Sequence, residues 1–420
     1  MNSIMLLIVA VCAFLLAYRY YSAFISAKVL MLNDQNVTPA YRCNDGKEFI
    51  PTNKWVLFGQ HFAAIAGAGP LIGPVLAAQY GWGPGFMWIL LGSIFAGGVH
   101  DFITLFASTR HNGQSLAVIA HRETGPITGA ATTAAVFFIL IVAMAGLAIV
   151  VVNALFKNPW GVYTIFMTIP ISFIIGLFIF KLTPGALKYA SFAGFVMVMA
   201  AVITGNWVAN SSIADYFTFT KDQLSVILPT YGFLAAVLPV WMLLAPRGYL
   251  SSYLKIGTVV ALAVGIVIVQ PTVHMGMTTR FIEGGGPIIP GPWWPYVFIT
   301  IACGAISGFH SMISTGTTSK MLEQESQARP IAYGGMLTEG FVAVMALISA
   351  VVLAPGDYFA INTPAAVFAK LNIPMVELDK LSQLVGMDVA HRPGGAVSLA
   401  VGMAHVFSSI GGMQHLMNYW

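Results

Sequence analysis

Charge is what this sequence has least of. Asp, Glu, Lys and Arg make up 8% of its 420 residues, against 58% hydrophobic. A soluble domain carries about 25% charged residues, so an aqueous surface cannot be built from this supply. The shortage is patterned. None of the four types occurs in Trp55–His100, Thr124–Phe156, Tyr189–Ala214, Gln223–Ala245, Ile256–Thr279 or Gly340–Gly356. Cysteine is scarce too: Cys12, Cys43 and Cys303 are isolated, odd in number and without metal-ligand spacing, so no disulfide framework is implied. Enzyme signatures are missing, with no H-E-x-x-H and no G-x-S-x-G. Gly316-Thr-Thr-Ser-Lys320 echoes a P-loop only loosely, with the lysine misplaced and no strand before it, so the chain is not expected to use ATP. Alternating strands of about 10 residues, the mark of an outer-membrane barrel, are absent.

What is present is a series of apolar runs long enough to cross about 30 Å of hydrocarbon. The expected fold is all-α, a polytopic membrane helix bundle. About eleven transmembrane helices are placed near 4–27, 56–79, 85–108, 127–155, 162–180, 188–208, 230–246, 251–270, 295–319, 333–354 and 395–411. The first run lacks a basic leader and a small-x-small cleavage site, so it reads as a retained helix. Three connections are long: 31–54, 271–294 and 355–394. The last holds two short helices, Asn362–Leu371 and Val376–Val385, outside the core. No low-complexity linker divides the chain, so one domain spans 1–420. Of the nineteen Lys and Arg residues, thirteen follow odd-numbered spans, Lys181 and Lys255 among them, and six lie in the opposite loops. Positive residues concentrate in cytoplasmic loops. The N-terminus is therefore placed outside and the 31–54 loop in the cytoplasm.

Interrupted helices mark where chemistry could sit. The second span carries Gly67, Gly69, Pro70, Gly73 and Pro74 in one apolar run, which weakens helical hydrogen bonding. Unwound backbone in a membrane is tolerated where it lines a cavity or is buried in protein; a kinked packing face is the plainer alternative. A dinucleotide fingerprint is rejected, because the pattern is G-x-G-x-x-x-G with no strand before it. The seventh span carries Pro239, Trp241 and Pro246. Two interrupted helices five apart and oppositely oriented point to an inverted-repeat transporter, with repeats near 56–208 and 230–411 behind the leading helix 4–27.

The ninth span places Ser307, Ser311, Ser314 and Thr318 at i, i+4, i+7 and i+11 on one helical face, with His310 and Thr315 beside it. Hydroxyls bonding back to their own helix are the plainer alternative for any one of them. Of the fifteen acids, only Asp101 and Glu339 lie well within spans. At 1.5 Å per residue both sit roughly 10 Å from the cytoplasmic ends of their helices, with His61 and His100 at similar depth and His310 and His405 nearer the midplane. Ionisable groups there are costly and are candidates for proton relay. A structural pairing of either acid with a histidine, an arginine or a helix end is the alternative.

Several of these segments resemble the carbon starvation protein A (CstA) family: Pro51–Gly59, His61–Pro70, Val99–Phe102, Leu238–Trp241, Ala245–Leu250, Gly304–His310 and Gly316–Lys320. The resemblance covers nearly the whole chain. It implies a bacterial inner-membrane uptake system, with members taking up pyruvate by proton symport and others associated with peptide use in starvation, on a LeuT/APC-like fold. Family members continue with further hydrophobic helices, whereas this chain stops at Asn418-Tyr-Trp420, so a fragment or a short member is expected. The expected function is secondary transport of a small carboxylate with H+. The residues do not separate H+ from Na+. A peptide importer, a non-transporting sensor and a channel are the other readings. Gly67, Gly69, Gly73, Trp241, Ser307, His310 and Ser311 are the expected solute site. His310, Asp101, His100, His61, Glu339, Ser314 and Thr315 are expected to serve coupling. The bilayer is the other expected partner, with no nucleic acid, cofactor or metal.

Overall fold

The computed structural model describes residues 1–179, 187–385, 388–411 and 413. The predicted end of span five at 180, Lys181 and the terminal Asn418-Tyr-Trp420 lie outside them. The described residues are helical, with two isolated β-bridges, Asn2 with Thr272 and Thr52 with Leu322. Seven helices are long and apolar enough to cross a membrane. They are α1 (Ser3–Val29), α4 (Trp82–Arg110), α5 (Pro126–Leu155), α6 (Pro159–Leu177), α7 (Leu187–Ala209), α9 (Leu244–Val269) and α13 (Glu325–Val351). A bent pair, α2 (Lys54–Ile65) and α3 (Gly69–Tyr80), makes an eighth at a 43° angle. The chain is a multi-pass membrane protein.

Local chemistry sets these boundaries. Asn53 caps α2 by accepting from Trp55 N–H, and Asn158 caps α6 by accepting from Gly161 N–H. Proline opens α5 and α6 at positions where its missing N–H costs nothing. α13 is the centre of the molecule, its residues buried almost throughout, whereas α5 is exposed along most of its length.

The seventh predicted span requires a correction. It runs as α8 (Lys221–Val237), nine residues earlier than expected, because Thr220 and Gln223 form a capping box that starts the helix at Lys221 despite its charge. The chain then turns through Leu238–Leu243, and Pro246 sits harmlessly in the first turn of α9. This turn separates two helices and interrupts neither. The ninth span is the interrupted one: α10 (Trp293–Thr300), α11 (Ala302–Ala305) and α12 (Gly308–Gly316), with Ile306 and Ser307 extended between the last two. In the 355–394 segment, short helices appear at Ala365–Phe368 and as α15 (Leu378–Val385). α14 (Pro355–Asn362) is almost fully buried and was not expected. α16 (Ala396–Ser408) closes the described chain against α13.

The loops group at two ends. Thr52 N–H donates to the Met321 carbonyl, Lys320 pairs with Glu48 at 2.7 Å, and Arg110 grips Glu325 through two bonds of 2.6 and 2.9 Å. At the other end, Ser3 N–H donates to Pro271, Trp82 N–H to Gly276 and His274 N–H to the Val351 carbonyl. This is the grouping that the predicted alternation of spans requires.

Candidate functional site

The interruption in the second span meets the one in the ninth. Ala66 leaves helical geometry at φ −77°, ψ 63° before α3 restarts at Gly69. A Cβ at Gly69 would lie 2.5 Å from Cys303 Cβ, and one at Gly73 would lie 2.2 Å from the Thr300 carbonyl oxygen, so glycine alone permits this approach. A Cβ at Gly67 or Gly308 would meet nothing within 4 Å, so both breaks border open space.

Next to this junction lies a chain of ionisable groups from three helices: Asp101 in α4, His310 in α12 and Glu339 in α13. All three are fully buried. His310 Nδ1 is 2.8 Å from Asp101 Oδ2, and His100 Nδ1 is 2.9 Å from Asp101 Oδ1. A carboxylate only accepts, so both imidazoles donate to Asp101. Across the ring, His310 Nε2 is 3.1 Å from Glu339 Oε2, an ion-pair distance, yet the two atoms are not aligned for a hydrogen bond and neither has another partner. The contact is one of charge when His310 is protonated. Cys303 donates its S–H to Glu339 Oε1 at 3.3 Å.

The structure thus joins groups that helix counting had placed at different depths. His310 Nδ1 reaches Asp101 Oδ2 across 2.8 Å, a side-chain contact that counting along single helices does not show. Both acids take the histidine pairing that was the plainer alternative for each. His100 backs Asp101 with its side chain 31% exposed. His61 is buried in α2, with Nδ1 2.9 Å from Thr318 Oγ1 and Nε2 unpartnered.

The polar stripe survives only in part. Ser307 is extended, so it does not continue the helical face of α12. Ser311 donates to the Gly308 carbonyl and Thr315 to the Ser311 carbonyl, both back-bonds within the helix. Ser314 is buried with an unpartnered hydroxyl. Trp241 is not brought to the junction. Helices α2 and α9 run parallel, Gly59 beside Tyr249 and Ala66 beside Lys255, so the 238–243 turn lies toward the start of α2, with the Trp241 carbonyl against Gly176 of α6.

Lys255 is the site residue that sequence reasoning misplaced. Counted above with the loop charges, it lies inside α9 and donates to the carbonyls of Ala63 and Ala66 at 2.8 and 2.7 Å. These are the orphan acceptors left where α2 stops, the negative end of a half-helix. Among the described residues it is the one charged residue lining a cavity of about 310 Å³ walled by Phe62, Leu71, Leu262, Val342 and Met345. The available signal was its position four residues past Ser251, inside a helical apolar pattern.

Residues 2–420 match the family described as carbon starvation protein CstA. The chain belongs to the CstA family. It is 50% identical over 420 residues to the "Peptide transporter CstA" of Bacillus subtilis, covering all of this chain and 70% of that relative. It is 48% identical to the "Peptide transporter CstA" of Escherichia coli over 440 residues, covering 63% of it. It is 42% identical over 456 residues to the "Pyruvate/proton symporter BtsT" of Escherichia coli, covering 64%. The chain therefore spans about two thirds of the length of these relatives. No solved structure gives a significant match to it. The names of these relatives describe transporters, and the family's description refers to carbon starvation.

Proposed function

We propose that the chain is a secondary transporter that imports a small carboxylate, such as pyruvate, together with a proton. The observation that carries this reading is the buried Asp101–His310–Glu339 chain beside two helix interruptions. A carboxylate brings negative charge into a low-dielectric cavity, where an uncompensated charge is expensive, and a proton taken up with it offsets that charge. His310 is the proposed carrier of the proton, held in place by Asp101. Glu339 receives the proton or holds the inner gate closed, with His100 and His61 toward the same end. The solute lies at the breaks, against Gly67, Gly69 and Gly73 backbone, Ser307 and Ser311. Ser314 and Thr315 line the coupling groups. An ammonium has three donors, and Lys255 spends two on the helix break, which leaves one for a solute carboxylate. The relative named as a pyruvate/proton symporter favours H+ over Na+ as the coupling ion.

We further propose eleven spans. Those beyond the seven long helices and the bent pair are α8, the interrupted α10–α12 and the short α16. The second span runs inside to out and the ninth outside to in, so their broken segments meet with opposite polarity, as in inverted-repeat transporters. The five-helix halves expected at 56–208 and 230–411 do not put these two spans in corresponding positions, since they are seven apart. The charge distribution supports a bacterial inner-membrane location with the N-terminus outside.

The names of the Bacillus and Escherichia relatives favour a second reading, a peptide importer of the same fold. A screen in proteoliposomes with an imposed pH gradient separates the two. Accumulation of labelled pyruvate but not dipeptides supports the first, and the reverse supports the second. Counterflow of neither sinks both and leaves a sensor. Unsaturable current identifies a channel.

A further inference from the structure

We propose that Cys303, His310 and Glu339 form a binding site for a thiophilic divalent cation of the zinc class. Cys303 Sγ, a ring nitrogen of His310 and a carboxylate oxygen of Glu339 all lie within 4.8 Å of one another. The individual gaps are 3.3 Å from Sγ to Oε1 and 3.1 Å from Nε2 to Oε2. A tetrahedral zinc ion with bonds of about 2.0–2.3 Å holds its ligand atoms roughly 3.3–3.6 Å apart; the two gaps end on different oxygens of Glu339, so each carboxylate oxygen stands near that spacing from one neighbouring donor.

A second observation points to the same place. His310 Nε2 and Glu339 Oε2 are both buried and both lack a hydrogen bond. Asp101 takes the Nδ1–H, which turns the Nε2 edge of the ring toward Cys303 and Glu339. A carboxylate receiving one imidazole N–H while the other nitrogen faces a ligand position is the arrangement that orients metal-binding histidines. Asp101 is itself held by His100. The donor set of one sulfur, one nitrogen and one oxygen selects zinc or cobalt over magnesium or calcium, which require oxygen ligands. Binding releases the S–H proton of Cys303 to solvent; the resulting thiolate and the carboxylate neutralise the divalent charge, and the fourth position is left to water or a solute oxygen.

The placement has a mechanical consequence. Cys303 and His310 stand on either side of the extended residues 306–307, and Glu339 stands on the neighbouring helix. A bound cation staples the two halves of the ninth span to the tenth and holds the break in one state. Zinc therefore blocks uptake, a consequence that rests on the transport reading; the binding does not.

The test uses purified full chain carrying Cys12→Ser and Cys43→Ser, both of them exposed positions, so that Cys303 is the remaining thiol. Anaerobic titration with Co2+ should bind one equivalent, with a thiolate-to-cobalt charge-transfer band and the intense visible bands of four-coordinate cobalt. Zn2+ should displace it and should protect Cys303 from maleimide. Cys303→Ser should remove the charge-transfer band, and Asp101→Asn should weaken binding about 10–100-fold while keeping the band. Glu339→Gln should weaken binding as well. Size-exclusion profiles show whether each variant folds, and maleimide protection in the parent chain stands if one does not. Weak binding of several cobalt ions without the band, or a band that persists in Cys303→Ser, overturns the proposal. A band in a chain that fails to transport leaves the metal site standing; proton-driven uptake without a band removes the metal site alone.

Discussion

Replacing His310 by glutamine is the sharpest test of the coupling scheme. The imidazole bridges two buried acids, at 2.8 Å to Asp101 and 3.1 Å to Glu339. Glutamine has similar reach and can still donate its amide to Asp101, so the packing around α12 is retained. It cannot carry a proton between the two carboxylates. The magnitude follows from the driving force. A pH difference of one unit is worth about 1.4 kcal/mol per proton, a tenfold concentration ratio. An electroneutral symporter of one proton per monocarboxylate should therefore concentrate its solute about tenfold per unit of imposed gradient. His310→Gln should bring that ratio to about one while retaining some counterflow, which needs no net proton movement. The assay is uptake of labelled solute into proteoliposomes, with the membrane potential clamped and the pH step varied. A mutant that still concentrates solute tenfold per unit, with unchanged stoichiometry, refutes the assignment of His310 and shifts it to Asp101 and Glu339.

Lys255→Met keeps the length of the side chain and strips two donors from the carbonyls at the end of α2, where each orphaned buried acceptor costs about 1–3 kcal/mol. Uptake should fall more than tenfold, and wild-type uptake in this variant would show that the ammonium is structural ornament to the break. Gly73→Ala places a Cβ 2.2 Å from the Thr300 carbonyl oxygen and should cost about 1–3 kcal/mol, seen as a lower Tm in detergent. Gly67→Ala, which meets nothing within 4 Å, should leave Tm unchanged; equal Tm values for the two variants would contradict the packing of the junction. For orientation, the native Cys43 and a cysteine at Gln324 should stay protected from an impermeant reagent in intact cells, while one at Lys380 should label. The opposite pattern would invert the assignment. Glu325→Ala leaves Arg110, Asn33 and Asn36 without their shared acceptor and should cost about 1–2 kcal/mol, since Arg110 is partly solvated, read as faster proteolysis within 31–54.

The sequence by itself determined the class of this protein and most of its helices. Charge-free runs and the bilayer's thickness leave no other way to satisfy backbone N–H and C=O groups, so the membrane-spanning reading follows from composition. Asp101, Glu339 and His310 could be singled out for the same reason, since ionisable groups are rare and costly in apolar runs. The interruption at Gly67–Gly73 was legible because glycine and proline act locally. Tertiary structure alone decided which second interruption meets it. Pro239 and Pro246 signal a break as strongly as any residues in the chain, yet a capping box at Thr220 shifts the helix and leaves the prolines in a turn and a first helical turn. The extended pair Ile306–Ser307 contains no proline, and the segment just before it packs on Gly69 and Gly73 through Cys303 and Thr300. Contacts between residues on different helices, 192 and 189 positions apart for Lys255 with Ala63 and Ala66, are invisible to periodicity. So it was that Lys255, counted as a loop charge, caps a broken helix, and that a lone cysteine stands beside His310 and Glu339.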